Sequence, residues 1–123
     1  YCTLVKPEQG VSTKYIYEHL DLTNAKHPDI DAMLYAIETK ALPALCQNLD
    51  NILEPVALTL CPEITKIEKK LEELGAMGTC MSGSGPTVFG LFTDGNKAIE
   101  AATYFADHGY ENRSFATRFY QPT

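Results

Sequence analysis

The chain has 123 residues, of which 16 are acidic and 10 are basic, so its formal net charge is −6. Apolar residues make up 45% and charged residues 21% of it, which is typical of one globular domain of this length. The acidic balance argues against a nucleic-acid-binding surface, which normally requires a basic face. No apolar run approaches the roughly 20 residues that span a bilayer. We therefore expect a single domain, residues 1–123, that binds neither nucleic acid nor a membrane.

The four cysteines predict neither a metal site nor a disulfide scaffold. They are Cys2, Cys46, Cys61 and Cys80, and none forms the C-x-x-C pair of a zinc site. Four cysteines are too few for a disulfide framework in a chain of this size. We expect reduced, buried thiols in a cytoplasmic protein and no bound metal.

The first predicted elements are a strand and a short helix. Residues 1–5 form the strand, which ends because Pro7 has no N–H to donate to a sheet. Ser12 is a good N-cap for a helix over residues 13–20. The chain starts at Tyr1, directly in a strand, and this start predicts that it was cut from a longer protein at a domain boundary.

Helical patterns dominate the next fifty residues. A helix that opens at residues 28–29 has a stripe with helical spacing, which we expect to be buried; its members are Ile30, Met33, Leu34, Ile37 and Ala41. Pro43 interrupts and restarts the helix, and Pro55 weakens the helical prediction for residues 51–60. The helix after Pro62 has the clearest apolar stripe, formed by Ile64, Ile67, Leu71 and Leu74.

The apolar spacing changes to that of strands after Gly75, a predicted helix C-cap. Residues 76–81 and 87–92 are predicted strands. A helix follows, ending at residues 108–109, whose predicted core residues are Ile99, Ala102 and Phe105. Residues 114–120 form the last predicted strand. Without the extra helices after the first strand, the order is β-α-β-β-α-β, which predicts an α+β, ferredoxin-like, four-stranded antiparallel sheet with helices on one face.

A glycine-rich stretch joins the two middle strands, with the sequence Ser82-Gly83-Ser84-Gly85-Pro86. Glycines let a loop expose its backbone N–H groups and let a phosphate approach closely. The stretch is neither a Walker A motif nor a dinucleotide fingerprint, because no Gly-Lys-Ser/Thr follows and Val88 replaces the third glycine. A turn of this composition between two strands requires no ligand, so the residues alone leave both interpretations open.

Two sequence segments together resemble a known family. Residues 75–78, followed by residues 81–90 (MSGSGPTVFG), are similar to the third motif of the GHMP kinases, a superfamily that includes galactokinase, homoserine kinase and mevalonate kinase. Residues 5–7, 10–13, 17 and 20–21 resemble the branch that phosphorylates 4-diphosphocytidyl-2-C-methyl-D-erythritol, as does the stretch from His27 to Lys40. The resemblance runs in order through nearly the whole chain.

The resemblance implies that the chain is the C-terminal domain of such a kinase. The family's catalytic lysine and aspartate and its main ATP-phosphate loop belong to an N-terminal domain, which we expect to be absent here. No catalytic residue is therefore predicted in this chain. ATP and Mg²⁺ are implied for the full-length enzyme and not for this domain alone. The implied reaction transfers the γ-phosphoryl group of ATP to the 2-hydroxyl of the cytidine-linked substrate, a step of non-mevalonate isoprenoid synthesis.

The resemblance also implies two clusters of site residues. Thr13 and Tyr17 correspond to residues that border the cytidine pocket, and their spacing of four places them on one helix stripe. Ser82, Gly83, Ser84 and Gly85 correspond to the loop at the domain interface, near the phosphates. An alternative for Tyr17 is packing against a neighbouring domain, since tyrosine is enriched at interfaces.

Two other functions remain open at this stage. Another GHMP kinase, of the mevalonate or homoserine type, would share the glycine-rich motif, although the stretch Gly10-Val11-Ser12-Thr13 argues against it. A free-standing ferredoxin-like module that binds a ligand or a protein without catalysis is the second. The mass of the native protein distinguishes the second from a kinase, because this chain alone has a mass of 13.6 kDa.

Overall fold

One antiparallel sheet organises the computed structural model, which describes residues 1–7, 10, 12–20 and 29–118. Its four described strands are β1 (Cys2–Val5), β2 (Gly78–Met81), β3 (Val88–Leu91) and β4 (Ser114–Thr117). The strand order is β2-β3-β1-β4, so the first strand pairs with β3 on one side and with β4 on the other. This order and the antiparallel pairing confirm the predicted ferredoxin-like sheet.

Six α-helices lie within the described residues. They are α1 (Thr13–Glu18), α2 (Ile30–Glu38), α3 (Leu42–Gln47), α4 (Glu54–Leu60), α5 (Glu63–Glu73) and α6 (Gly95–Phe105), the last followed by a wide helical turn over Ala106–Tyr110. The first four lie between β1 and α5, which confirms the predicted helices inserted after the first strand. None of these described helices has the length and hydropathy that a membrane crossing requires.

The main core lies between one face of the sheet and the helices α5 and α6. Val5 and Val88 from the sheet meet Ile64 and Leu71 from α5, and all four are fully buried. Burial of each such side chain stabilises the fold by about 1.5–3 kcal/mol. Thr3 is a buried polar residue on this face, and its hydroxyl donates to the carbonyl oxygen of Ala98 at 2.8 Å, so its burial leaves no unpaired donor.

A smaller apolar cluster covers the opposite face of the sheet. Cys46 of α3 packs there with Cys2 and Leu91. The close approach of α3 to β2 requires a glycine at position 78, because a Cβ there would lie 2.7 Å from the Cβ of Cys46. The inserted helix α3 therefore covers a face that the helices of the basic β-α-β-β-α-β unit leave open.

The predicted apolar stripe of α2 is not buried. Ile30, Leu34 and Ile37 are 66%, 51% and 53% exposed, whereas Ala36 is the buried residue of this helix. Apolar spacing identifies an amphipathic helix but not the direction in which its stripe points. α2 packs mainly against the short α3, and Ala36 is its buried residue, so the prediction of a buried stripe was wrong.

The remaining differences between the predicted and observed elements concern α6, α4 and β4. Ile99 is 57% exposed, whereas Ala98 and Ala101 are buried, because small side chains allow α6 to lie close to the sheet. α4 begins at Glu54, so Pro55 occupies its first turn, where proline is tolerated. β4 ends at Thr117, and the described Arg118 is no longer part of the strand. The other predicted strand residues, 119 and 120, lie outside the described residues, as does His27.

Candidate functional site

The N-terminus of α1 meets the loop between β2 and β3. The hydroxyl oxygens of Thr13 and Ser84 lie 3.1 Å apart, and this hydrogen bond is exposed to solvent. Ser12 caps the helix, because its hydroxyl accepts from the N–H of Tyr15 at 3.2 Å. Ile16 is fully buried in the main core. The cap and this anchor fix the helix so that its N-terminal residues reach the loop.

Tyr17 lies one turn beyond Thr13 on the outer side of α1. Its side chain is 59% exposed, whereas the neighbouring Ile16 is fully buried in the core. An exposed aromatic ring on an anchored helix is a suitable surface for stacking a planar group. Stacking on a base and packing against another domain both stay predictions for Tyr17.

Backbone hydrogen bonds within the Ser82–Gly85 loop and to Thr87 fix its conformation. The N–H of Ser82 donates to the carbonyl of Thr87 at 2.8 Å, and the N–H of Gly85 donates to the carbonyl of Ser82 at 3.1 Å. Gly83 and Gly85 have φ values of 59° and 87°, which favour glycine, and a cis peptide bond follows between Gly85 and Pro86. Within the described residues, the N–H groups of Gly83 and Ser84 donate to no protein acceptor.

Asn51 fixes the loop through side-chain hydrogen bonds. Its side-chain amide nitrogen donates to the carbonyl of Met81 at 2.8 Å and to the carbonyl of Gly83 at 2.7 Å. Its side-chain oxygen accepts from the N–H of Leu53 at 3.0 Å, so every polar atom of this amide group has a partner. A single side chain thus fixes two carbonyl groups of the loop relative to the start of α4.

Glu54 makes a further hydrogen bond at the start of the loop. Its carboxylate accepts from the N–H of Met81 at 2.9 Å. Partial burial raises the pKa of Glu54 above its ordinary value. A carboxyl group that is partly withdrawn from water and bound to backbone in this way is fixed in position.

Glu68 of α5 lies against Glu54 beneath the loop. The hydroxyl of Thr79 donates to a carboxylate oxygen of Glu68 at 3.4 Å. Burial, followed by the charge of Glu54, raises the pKa of Glu68 to about 7. The same surroundings, burial first, raise the pKa of Cys80 to about 12, so this thiol stays protonated.

The site can bind and orient a ligand through hydroxyl groups, backbone N–H groups and one aromatic ring. No group of three or more metal-binding side chains occurs among the residues that the structure describes. All four cysteines are free and buried. The hydroxyls of Thr13 and Ser84, the ring of Tyr17 and the loop N–H groups suit an uncharged base and an anion rather than a cation.

An open groove of about 510 Å³ lies elsewhere, between α5 and the end of α6. Lys66, Lys70, Tyr104 and His108 are among its lining residues, and none of the six predicted site residues lines it. The hydroxyl of Tyr110, also in the lining, donates to Glu63. The volume of this groove is therefore not evidence for the site, since none of the predicted site residues lines it.

A direct contact joins two of the six predicted site residues, one from each predicted cluster, and the structure adds other residues to the site. Thr13 contacts Ser84, whose neighbours Gly83 and Gly85 have the glycine conformations expected of the loop. Sequence reasoning missed Asn51 and Glu54, which contact the loop across about thirty positions of sequence. No local pattern marks such a contact, although an asparagine and a glutamate immediately before an apolar helical stripe were a possible signal.

Comparison with known proteins gives one family and one group of relatives. The family of GHMP kinase C-terminal domains ("GHMP kinases C terminal") matches residues 25–111. The chain is 47% identical over 123 residues to 4-diphosphocytidyl-2-C-methyl-D-erythritol kinase of Lachnoclostridium phytofermentans, covering 98% of this chain and 42% of that protein. It is 40% identical over 118 residues to the kinase of the same name from Geobacillus thermodenitrificans, covering 96% of this chain and 40% of that protein.

Solved structures give the same picture for the fold. A crystal structure of 4-(cytidine 5'-diphospho)-2C-methyl-D-erythritol kinase matches with a TM-score of 0.74 at 27% identity, covering 94% of this chain and 41% of that one. Homoserine kinase from Cytophaga hutchinsonii matches with a TM-score of 0.72 at 20% identity, over 94% of this chain and 39% of that one, which shows the fold alone. The chain spans about two-fifths of the length of these relatives.

Proposed function

This chain belongs to the GHMP kinase family as a C-terminal domain, and on that premise we propose that its protein phosphorylates the 2-hydroxyl of 4-diphosphocytidyl-2-C-methyl-D-erythritol. The observation that carries the proposal is the contact between Thr13 and Ser84. It joins the helix expected to face the cytidine group to the loop expected to face the phosphates, and one extended cytidine diphosphate ligand would cover both. The names of relatives at 40–47% identity support the same substrate.

Each site residue has a defined task in this proposal. The exposed ring of Tyr17 stacks on the cytosine, and the hydroxyl of Thr13 binds a polar group of the cytidine. The N–H groups of Gly83 and Ser84 are consecutive donors, and Ser84 is flanked by Gly83 and Gly85, which both have positive φ. Such an arrangement of N–H groups forms a concave surface that suits a phosphate oxygen. This domain therefore orients the acceptor substrate, so that its hydroxyl meets the phosphoryl donor.

In this proposal, ATP and Mg²⁺ bind to the part of the protein outside this chain. The donors of the Ser82–Gly85 loop fit an anion, and the carboxylate of Glu54, at the start of the loop, is already bound to the N–H of Met81. These residues do not fit a cation, so we assign the Mg²⁺ ligands to residues outside this chain. When bound, Mg²⁺ neutralises the charge that develops on the transferred phosphoryl group.

We further propose that an N-terminal domain completes the enzyme. Relatives of this chain are more than twice its length, and phosphoryl transfer needs a group that positions the nucleophile and donors that hold the phosphates of ATP. The predicted site residues of this chain include neither a base nor a lysine. The catalytic residues would then lie in the N-terminal domain, and the four reduced cysteines are in keeping with a cytoplasmic enzyme.

The test is acceptor selectivity of the full-length protein. It is incubated with ATP, Mg²⁺ and, separately, the cytidine-linked methylerythritol, homoserine and mevalonate. We expect kcat/KM for the cytidine substrate to exceed that for the others on the order of 10²-fold or more, and we expect the 123-residue chain alone to be inactive. Preference for homoserine or mevalonate would replace this proposal with the other kinase. A native protein of 13.6 kDa that binds a ligand without turnover would favour the binding module.

A further inference from the structure

The groove between α5 and the end of α6 combines buried apolar residues with cationic side chains. Ile67 and Phe105 line it and are 2% and 3% exposed, so they form its floor. Lys66 and Lys70 also line it, and their spacing of four places them on the same side of α5. Its volume of about 510 Å³ lies within the range of roughly 300–1,000 Å³ that small-molecule sites occupy. A small molecule with an apolar part and a negative charge would therefore match both parts of the lining.

The ring of Tyr104 brings a lysine and a histidine together in the wall of the groove. Nζ of Lys70 lies 4.6 Å from the centroid of this ring, and the ring of His108 stacks on it with the centroids 3.9 Å apart. Nδ1 of His108 lies 2.7 Å from the carbonyl oxygen of Tyr104. Because a carbonyl oxygen can only accept, Nδ1 is the donor in this hydrogen bond. Nε2 has no hydrogen-bond partner in the part of the chain that the structure describes, so it is available to a ligand.

The charges in the lining favour an anion, although the chain as a whole has a net charge of −6. Two lysines line the groove together with one carboxylate, Glu63, which already accepts from the hydroxyl of Tyr110. Lys66 forms no ion pair within the described residues. Lys70 pairs with Glu73 at 3.1 Å, but the side chain of Glu73 is mostly in solvent. Such surface pairs are weak, so Lys70 can also bind an anion.

We propose that this groove binds a small organic phosphate. The apolar part of the ligand lies on Ile67 and Phe105, and its phosphate contacts Lys66, Lys70 and Nε2 of His108. A phosphate monoester suits three such partners better than a carboxylate does, because it presents three acceptor oxygens and a charge of about −1.5 to −2 near neutral pH. None of the six predicted site residues lines the groove, so this second site is independent of the proposed function.

The experiment is an NMR titration of the full-length protein with two organic phosphates. Phenyl phosphate supplies an aromatic apolar part, and hexyl phosphate supplies an aliphatic one. Inorganic phosphate, which lacks an apolar part, and phenol, which lacks the charge, are the comparison probes. The ring signals of Tyr104, His108 and Tyr110 report on the groove, whereas the amides of Gly83 and Ser84 report on the other site.

Substitutions on α5 show which charges the ligand requires. Lys66→Met and Lys70→Met each remove one cation from the groove and keep a long side chain. Lys69→Met is the matched control, since Lys69 is an exposed lysine of the same helix that does not line the groove. Far-UV circular dichroism and the thermal midpoint of each variant establish that it is folded.

We expect at least one of the two organic phosphates to shift the groove signals in a saturable way. Inorganic phosphate and phenol should each bind about tenfold more weakly or worse, because each lacks one half of the ligand. Lys66→Met and Lys70→Met should each raise Kd about fivefold, as the loss of one hydrogen bond to a charged group predicts. Lys69→Met should leave Kd unchanged. A preference for phenyl or hexyl phosphate would support the proposal and identify the apolar part as aromatic or aliphatic.

Three results would overturn the proposal. The first is that the groove signals do not move with either organic phosphate, and the second is that inorganic phosphate moves them equally well. The third is that Lys69→Met weakens binding as much as Lys66→Met and Lys70→Met do, which would indicate attraction to the overall charge of the helix. If the protein does not phosphorylate the cytidine substrate, the proposed function fails, and the titration still decides whether the groove is a site.

Discussion

The hydroxyl groups of Thr13 and Ser84 lie 3.1 Å apart although 71 positions of sequence separate the two residues. Thr13 belongs to the first turn of α1, and Ser84 lies at the tip of the loop between β2 and β3. The first three predictions below depend on this meeting point, because it fixes the distance between the expected base-binding and phosphate-binding parts of the site.

The contact itself can be measured with a double-mutant cycle. Thr13→Val and Ser84→Ala each remove one hydroxyl, and because the bond is exposed we expect a coupling free energy of only about 0.5–1 kcal/mol in kcat/KM for the acceptor. Thr13→Ser keeps the hydroxyl and serves as the control. Strictly additive effects of the two substitutions would show that the hydrogen bond does not contribute to substrate binding.

Tyr17 tests the cytidine-binding face of α1. If its ring stacks on the cytosine, Tyr17→Ala loses about 1–3 kcal/mol of binding, which corresponds to a rise in KM of about 5- to 150-fold. Tyr17→Phe should have little effect, since stacking depends on the ring. KM for ATP should be nearly unchanged in both variants. A folded Tyr17→Ala protein with normal KM for the acceptor would leave packing against another domain as the role of Tyr17.

The two glycines of the loop should differ in their tolerance of a side chain. A Cβ at Gly85 would lie 2.6 Å from the sulfur of Met81, whereas a Cβ at Gly83 meets no atom within 4 Å. Both have positive φ, so Gly83→Ala should destabilise the protein by only about 1 kcal/mol, and Gly85→Ala by more. Thermal unfolding measures the difference, and kcat of Gly83→Val then reports loop position. Equal loss of stability in the two alanine variants would contradict the geometry.

Stability should depend on pH through Glu68. Its pKa rises from 4.5 to about 7 on folding, so the folded protein holds this proton more tightly than the unfolded chain does. The free energy of unfolding therefore falls as pH rises from 4.5 to about 7. Because the side chain is partly exposed, we expect the loss to be about 1 kcal/mol.

Glu68→Gln removes this dependence and provides the measurement. Chemical denaturation should show the variant to be more stable than wild type at mildly alkaline pH and equally stable below pH 4.5, the pKa in the unfolded chain. A gain of the same size at both ends of the range would mean that the amide packs better than the carboxyl, and that the titration of Glu68 has no part in the effect.

The sequence patterns predicted what depends on neighbours along the chain. The stripe of α5, with Ile64, Ile67 and Leu71, is buried as its spacing predicted, and the change of apolar spacing after Gly75 located β2 and β3 within two residues. The stripe of α2 has equally good spacing but is exposed, because nothing local specifies the partner of a helix. Asn51 and Glu54 were missed for the same reason, since only the folded chain brings them under the loop.

The central place of β1 in the sheet has a consequence for biosynthesis. Cys2 pairs with Leu91 on one side and with Thr117 on the other, so β1 finds its first neighbour only when β3 has been made, and its second only when β4 has been made. At about 5–20 residues per second, it waits for several seconds on the ribosome. Its apolar face, with Val5, must remain unpaired in that time, and chaperone binding to the nascent chain is expected to be strongest there.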